Sequence, residues 1–379
     1  MIVFEHDMEL YEVGSKDLEK PFLSIVIPTY NESENIEELL RRIQSSLSSD
    51  LEDSYEIVIV DDNSPDKTWA KALTLMRNMG LRGRVIVRRY KKGLGTAIVT
   101  GIRFSEGKYI AVMDADLQHP PEELSRMLEK ALKQDYDLVI ASRYVRGGGI
   151  EGWSTHRKII SLVASYIARI LIPHVRRIRD PMSGFFLFRR DSVDPERLVG
   201  DGMKVLLEII VKGDVKRIYE HPYVFKRRGR GRSKLSFRDV IDFLAQVLRL
   251  SEYRILKFIV VGSSGVIVNT GVLYVMVENG FSRPIASLVA IEISTVSNFI
   301  LNDLWTFSRD RRGSWMKRLL GYHMAVAVGN IVIFTVFNIL SLFIYYIIAN
   351  LVGIILGFIT NYIISSELVW GLRRYSRGA

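Results

Sequence analysis

Asp114 and Asp116 stand two residues apart, directly after the apolar run KYIAVM (108–113). Two carboxylates at that spacing can share one hard divalent cation, Mg²⁺ or Mn²⁺, through oxygen ligands, and Gln118 adds a neutral oxygen. A cation held there would neutralise charge on a diphosphate leaving group. The bare pattern is weak alone, because Pro120 and Pro121 behind it also suit the start of a helix. A second carboxylate pair, Asp61 and Asp62, ends the run YEIVIV (55–60). A carboxylate in that place typically accepts from a ribose or base in nucleotide-binding sheets. Asn63-Ser64-Pro65 is turn chemistry at the same time. Lys91-Lys92-Gly93-Leu94-Gly95-Thr96 leads from a third apolar run into helical periodicity. Its glycines allow close backbone approach and a helix N-terminus attracts anions, though the stretch is not a GxxxxGK[ST] P-loop.

The elements that must position these residues alternate along the chain. The runs 22–28, 55–60, 84–88, 108–113 and 137–141 are short and β-branched, and read as buried parallel strands. Helical patterns at 33–49, 66–79, 95–105 and 121–133 separate them. Strand–helix alternation at this spacing predicts an α/β doubly wound domain, whose ligand crevice lies at the C-terminal strand ends. The polar clusters at 29–32, 61–64 and 114–118 all fall on that edge.

The second half follows different rules. Four apolar segments, about 255–277, 284–302, 319–340 and 343–365, are long enough to cross ~30 Å of hydrocarbon. The connections 278–283 and 341–342 are short. The connection 303–318 carries Arg309, Arg311, Arg312, Lys317 and Arg318, and the tail carries Arg373, Arg374 and Arg377. Basic loops on one side predict cytoplasmic termini and a cytoplasmic α/β domain. The N-terminus shows no signal-like apolar segment, so no cleaved leader is expected for the first half. Glu292 lies inside the second segment, where an interhelical hydrogen bond is the favoured reading. The two helix pairs resemble one another only loosely. Residues 156–172 and 236–252 are amphipathic but too charged to span, and suit the headgroup level of a membrane. The divisions are thus an acidic tail (1–21), an α/β domain (22–235), an amphipathic linker helix (236–253) and a membrane domain (254–379).

Composition excludes several classes. The 379 residues, 48% of them hydrophobic, allow two domains and exclude a disordered chain. The absence of cysteine excludes disulfides, a catalytic thiol, iron–sulfur clusters and thiolate-bound zinc. Six histidines without an HExxH or HxH pair argue against a zinc hydrolase. A net charge of +10 suits nucleic acid, a membrane surface or an anionic substrate. The basic stretch KRRGRGRSK (226–234) has no interleaved aromatics and soon meets membrane segments, so nucleic acid is not expected. A mobile basic lid over phosphates fits it better.

SIVIPTYNE, VIVDDNSPD, GLGTA, DADLQHPPE, DPMSGFF (180–186) and Arg228-x-x-Gly231-x-Ser233-Lys234-Leu235 occur in that order. Over about 22–250 the chain resembles family 2 glycosyltransferases of GT-A (Rossmann-like) fold, and within them the dolichol-phosphate mannose synthases. The part containing FIVVGSSGVIVNTGVLYVMV and SNFILNDLWTF is more loosely similar to GtrA-like four-helix domains. The resemblance implies an enzyme that transfers mannose from GDP-mannose to a polyprenyl (dolichyl) phosphate, with membrane lipid as a further partner. It implies that Pro28, Tyr30, Glu32, Asp61, Asp62, Asp114 and Lys92 hold the nucleotide. Asp114, Asp116 and Gln118 would bind Mg²⁺ or Mn²⁺, with Asp116 central to catalysis. Arg143, Arg157, Ser161, Arg228 and Lys234 would grip the acceptor phosphate, the three arginines also serving the departing diphosphate. Asp180 and Ser183 would shape the sugar site.

The acceptor chemistry agrees. A phosphate monoester, with a second pKa near ~6, is already mostly anionic at neutral pH and needs no general base. It needs cations, and guanidinium forks suit phosphate best. Front-side metal and back-side phosphate predict single displacement with inversion, from an α-linked donor to a β-linked product. Other readings are another hexosyl donor, or a lipid-phosphate binding or translocating membrane protein. A processive synthase fits poorly, because Gln246-Val247-Leu248-Arg249 is followed by Leu250 where its QxxRW motif needs Trp. The sequence sets no oligomeric state.

Overall fold

A computed structural model describes residues 2–5, 7–14, 19–47, 54–89, 93–227, 237–371 and 376–377. The chain divides into two compact units. One comprises 1–169, 175–247 and 375–379; the other comprises 170–174 and 248–374.

The first unit begins with strands β1 (Ile2–Glu5) and β2 (Met8–Val13). In chain order follow β3 (Leu23–Thr29), α1 (Ile36–Leu47), β4 (Tyr55–Asp61), α2 (Thr68–Asn78), β5 (Gly83–Arg88) and α3 (Leu94–Arg103). Next come β6 (Tyr109–Val112), α4 (Glu123–Gln134), β7 (Leu138–Ser142), β8 (Gly149–Ile150) and the start of α5 (Thr155–Leu171). Then come β9 (Phe186–Arg189), α6 (Val205–Lys212), β10 (Arg217–Pro222), β11 (Val224–Phe225) and most of α7 (Phe237–Leu250). The sheet order is β1-β2-β5-β4-β3-β6-β9-β7-β10, closed by the short C-terminal β12 (Ser376–Arg377). β8 and β11 pair separately.

Every residue of β3 and β4 is buried, as strands covered on both faces require. β3 pairs in parallel with β4 on one side and β6 on the other. The chain direction across the sheet therefore reverses at β3 and β6, and a crevice opens beyond their C-terminal ends. The expected five parallel strands are present, but β9 runs antiparallel between β6 and β7. The sheet is mixed.

The acidic first residues are not a tail. β1 and β2 form an antiparallel hairpin, and β2 extends the sheet beside β5. One face of β2 carries Glu9, Tyr11 and Val13: Tyr11 stacks on Trp69 at 5.8 Å and donates its hydroxyl to Glu9 at 2.7 Å, and Val13 is buried.

The second unit contains α8 (Arg254–Glu278), α9 (Arg283–Leu301), α10 (Trp315–Leu340) and α11 (Tyr346–Ile364). With π-helical turns at 302–306 and 365–369 ending α9 and α11, all four are long and apolar enough to cross a membrane. Their buried residues repeat. Arg254, Phe258, Val261 and Gly265 of α8 recur 64 positions later as Arg318, Tyr322, Ala325 and Gly329 of α10. Ala286, Ala290, Ser294 and Phe299 of α9 recur 63 positions later as Ala349, Gly353, Gly357 and Tyr362 of α11. The unit is a duplicated helix pair, a regularity that surface-exposed apolar positions conceal in the sequence. Glu292 of α9 bonds His323 of α10 at 3.1 Å. Asp303 receives Arg318 Nε and Trp370 Nε1, each at 2.8 Å.

Candidate active site

Pro28, Thr29, Tyr30, Glu32, Asp62, Gly93, Leu94, Ala97, Asp114, Ala115 and Asp116 line one cavity of about 320 Å³. It lies at the strand ends where the order reverses. The structure thus brings together, from β3, β4, the start of α3 and the loop after β6, most residues expected to hold a nucleotide and its metal.

Each wall is fixed by local chemistry. The Asp62 carboxylate receives the Arg88 Nε–H at 2.6 Å on Oδ1 and the Gly93 N–H at 3.1 Å on Oδ2. Arg88 is 1% exposed and also donates to Thr96 Oγ1 (2.9 Å) and the Gly93 carbonyl (3.1 Å). The end of β5 therefore ties the glycine loop to the carboxylate. Asp61 has a different role. It is fully buried and accepts from Thr29 Oγ1, Ser64 N and Ser64 Oγ, each at 2.7 Å. Burial pushes its carboxyl up, against those three hydrogen bonds. It shapes the turn after β4 and is not among the cavity-lining residues.

In the DADLQH loop, Leu117 takes φ 61°, a left-handed conformation unfavourable for a branched side chain. That turn brings the Gln118 N–H back to Asp116 Oδ1 at 3.1 Å. The Gln118 side chain points elsewhere, donating from Nε2 to the Lys226 carbonyl at 3.0 Å. His119 Nδ1 accepts the Asp114 N–H at 3.1 Å. Burial lowers the His119 pKa to about 4, so the ring is neutral with its proton on Nε2. A Cβ on Gly184 of the DPMSGFF loop would lie 3.2 Å from Asp114 Oδ2, so that loop passes directly against the first aspartate.

Asp114 and Asp116 offer hard carboxylate oxygens on a fixed loop at the cavity wall. That donor set fits a divalent cation completed by substrate phosphates rather than an all-protein cage. Among the described residues no group of three His, Asp or Glu side chains forms such a cage.

Arg143 and Asp180 form a buried fork, with Nε to Oδ2 and Nη2 to Oδ1 both at 2.7 Å. Asp180 also accepts the Arg143 N–H at 2.9 Å. Burial opposes the charge of Arg143, but the Asp180 carboxylate outweighs burial and raises its pKa. The Arg143 guanidinium lies 5.5 Å from the Trp153 ring centroid and that of Arg157 lies 4.3 Å from it, so one indole gathers both cations. Tyr144 OH donates to Ser161 Oγ at 2.9 Å, bringing α5 to the same cluster. Ser183 Oγ donates to the carbonyls of Ala141 and Phe185. Asp180 and Ser183 therefore brace the end of β7. Lys92, Arg228 and Lys234 lie outside the described residues.

Three participants are absent from the sequence reading: Arg88, His119 and Lys204. The Lys204 ammonium stands in the fields of Asp114 and Asp180, and burial with nearby Arg143 pushes its pKa down. Nothing local marks Arg88 or Lys204. His119 sits inside a quoted motif, where its place after Gln118 was the one available signal.

Residues 24–195 match the model of Glycosyl transferase family 2, and residues 257–370 match that of the GtrA/DPMS transmembrane domain. A dolichol-phosphate mannosyltransferase from Pyrococcus furiosus is 44% identical over 92% of this chain and 99% of its own length. This chain belongs to the dolichol-phosphate mannosyltransferase family. It is a GT-A-type glycosyltransferase and, with its four apolar helices, an integral membrane protein. The Saccharomyces cerevisiae dolichol-phosphate mannosyltransferase is 34% identical over 62% of this chain and 88% of its own length. A solved mannosyltransferase from Pyrobaculum calidifontis, in complex with GDP-Man and Mn²⁺, is 18% identical over 92% of this chain and 89% of that one, at a TM-score of 0.41. A likeness of that degree is too slight to transfer its ligands to this dolichol-phosphate mannosyltransferase family member.

Proposed function

We propose that the chain transfers mannose from GDP-mannose to a polyprenyl (dolichyl) phosphate at a membrane surface, yielding GDP and a β-linked polyprenyl-phosphate mannose. The observation that carries the reaction type is the single cavity that joins Asp62 to Asp114 and Asp116. The sugar and the lipid class come from family membership.

Pro28, Tyr30, Glu32 and Asp62 hold the nucleotide. Asp114 and Asp116 are the residues that would hold a divalent cation, whose positive charge would stabilise the departing diphosphate. Lys204 adds a second positive charge beside Asp114. Arg143 and Arg157, gathered by Trp153, receive the acceptor phosphate, with Ser161 one helical turn beyond Arg157. The phosphate arrives already anionic, so the chain supplies no base for it. These cations offset the repulsion between an anionic nucleophile and an anionic donor.

α5 leaves Ile159, Val163 and Tyr166 more than half exposed along one stripe, and α7 exposes Val240, Ile241 and Leu244. Both suit the headgroup level of a bilayer. The basic connection 303–318 supports a cytoplasmic side for this reaction.

The test is incubation of purified chain with radiolabelled GDP-mannose, a polyprenyl phosphate and Mn²⁺, following label into the lipid phase with and without chelator. Chelator-sensitive lipid labelling is expected. GDP binding without labelling would refute the donor or acceptor, and absence of nucleotide binding would refute the transferase.

A further inference from the structure

Duplication gives the membrane unit two matching helix seams. α9 meets α10 through Phe299 and Tyr322, ring centroids 5.8 Å apart. α11 meets α8 through the matching residues, Tyr362 and Phe258, at 5.5 Å. Farther along the spans the seams differ. Glu292 and His323 close the first with a hydrogen bond, and the positions that match them are Ile355 and Ile259. Asn330, two helical turns beyond His323, is exposed, and its match is Val266. Ile259, Val266 and Ile355 are 45%, 66% and 57% exposed, an apolar surface that lipid alone can cover. The first seam turns polar groups outward instead: the Glu292 side chain is 63% exposed and that of His323 30%.

These groups lie at hydrocarbon depth. Glu292 stands nine residues from the start of the span Arg283–Thr306, and Asn330 ten from the end of Trp315–Leu340. Each is thus about 14–15 Å along its helix from the same side, far from headgroups and water. An exposed carboxyl and carboxamide there are costly unless another protein surface covers them.

The chemistry of the face selects the cover. His323 Nδ1 lies 2.9 Å from the Leu319 carbonyl, which only accepts, so Nδ1 carries a proton. Nε2 and the Glu292 carboxyl, 3.1 Å apart, must share a second proton, since otherwise two lone pairs would face each other. The pair has no net charge whichever atom holds that proton, so it offers nothing to an anionic lipid phosphate. Two copies of the chain in one membrane have the same orientation. A two-fold axis along the membrane normal therefore brings like residues together at one depth, and they must complement themselves. A carboxamide does, because it both donates and accepts. A neutral acid–imidazole pair does as well. Ala327, small and exposed one turn after His323, lets two helix backbones approach closely.

We propose that the face bearing Glu292, His323 and Asn330 is the interface with a second copy of this chain, closed around a two-fold axis beside Ala327, with the polar residues setting its register. This pairing does not depend on the reaction the chain catalyses.

The chain has no cysteine, so one introduced thiol can bond only to its counterpart in another copy. The experiment oxidises full-length single-cysteine variants with copper phenanthroline in liposomes at a high lipid-to-protein ratio. Ala327→Cys should yield mostly covalent dimer. Ser263→Cys, exposed at the matching position of α8, should yield about tenfold less. Combining Ala327→Cys with Glu292→Ile, His323→Ile and Asn330→Val gives the first seam the residues of the second. Cross-linking should then fall about tenfold, with helical circular dichroism unchanged. Asn330→Val alone leaves the Glu292–His323 bond intact and should lower cross-linking about threefold, which decides the matter if the larger variant does not fold. Equal cross-linking from Ala327→Cys and Ser263→Cys, or none from Ala327→Cys, overturns the pairing. Undiminished cross-linking in both polar-to-apolar variants overturns the part given to the polar residues. Single-step photobleaching of the labelled chain in the same liposomes, with Ala327→Cys joined to a different protein in native membranes, would assign the face to that partner and overturn the second copy.

Discussion

Arg88 donates to Asp62 through Nε at 2.6 Å while its other nitrogens reach Thr96 and the Gly93 carbonyl. One buried guanidinium thus holds a cavity-lining carboxylate and the loop beside it. Arg88→Met leaves Asp62 buried without its cation. Stability should fall by about 3 kcal/mol, and GDP affinity should fall with it. Arg88→Lys should not restore affinity, because one ammonium cannot span three acceptors. Thermal melts and calorimetry check both, and a Lys variant with wild-type affinity would contradict this role.

Asp116→Asn should lower kcat by roughly 10²–10³-fold with little change in melting temperature. The substitution keeps an acceptor oxygen for the Gln118 N–H but halves the carboxylate pair available to a cation. Initial rates across a Mn²⁺ titration provide the check, and full activity would remove Asp116 from the metal site.

Asp180→Asn leaves the Arg143 cation buried and underpaired, at a cost of about 3 kcal/mol. The double variant Arg143→Met with Asp180→Leu replaces the ion pair by apolar volume. It should recover most of the melting temperature and transfer no mannose. Recovery of transfer by the double variant would show that Arg143 serves packing alone.

Burial lowers the His119 pKa to about 4, below its ordinary value of 6.5. The unfolded chain therefore binds a proton at a higher pH than the folded chain does. The stability contribution is complete above about pH 6.5 and is lost as pH falls toward 4, by up to about 3 kcal/mol. Melts between pH 7.5 and 4.5 should show this decline, and His119→Gln should flatten it.

Replacing Ile159 and Val163 by Glu puts charge on the exposed stripe of α5. Transfer to a long polyprenyl phosphate in vesicles should drop about tenfold or more. Transfer to a short, water-soluble polyprenyl phosphate should persist. Equal losses on both acceptors would locate the defect in the site rather than at the surface.

The repeating units of the α/β domain were legible because each is local. Five strands and four helices announce themselves by period and by turn residues, and the polar clusters at 29–32, 61–64 and 114–118 fall where such strands end. The remainder depends on partners far apart in sequence. β9 inserts antiparallel between β6 and β7, a pairing that nothing within Phe186–Arg189 encodes. Arg88 looked like the polar end of a strand until Asp62 was placed beside it. Gln246 looked like a fragment of an unrelated motif, but its carboxamide meets both backbone groups of Lys204, 42 residues away. The expected spans 255–277, 284–302, 319–340 and 343–365 all correspond to helices, since length and apolarity need no distant partner.

The duplicated helix pair has its own consequence. In a symmetric pairing of identical halves, every buried arginine would need the same counterion twice. Fusion into one chain lifts that restriction. Arg254 and Arg318 occupy matching positions, yet Arg318 meets Asp303 while Arg254 meets Asp310 at 2.9 Å. The position matching Asp303 in the second half is Ser366. Within one chain the two halves are therefore complementary rather than equivalent, each holding its buried arginine on a different carboxylate.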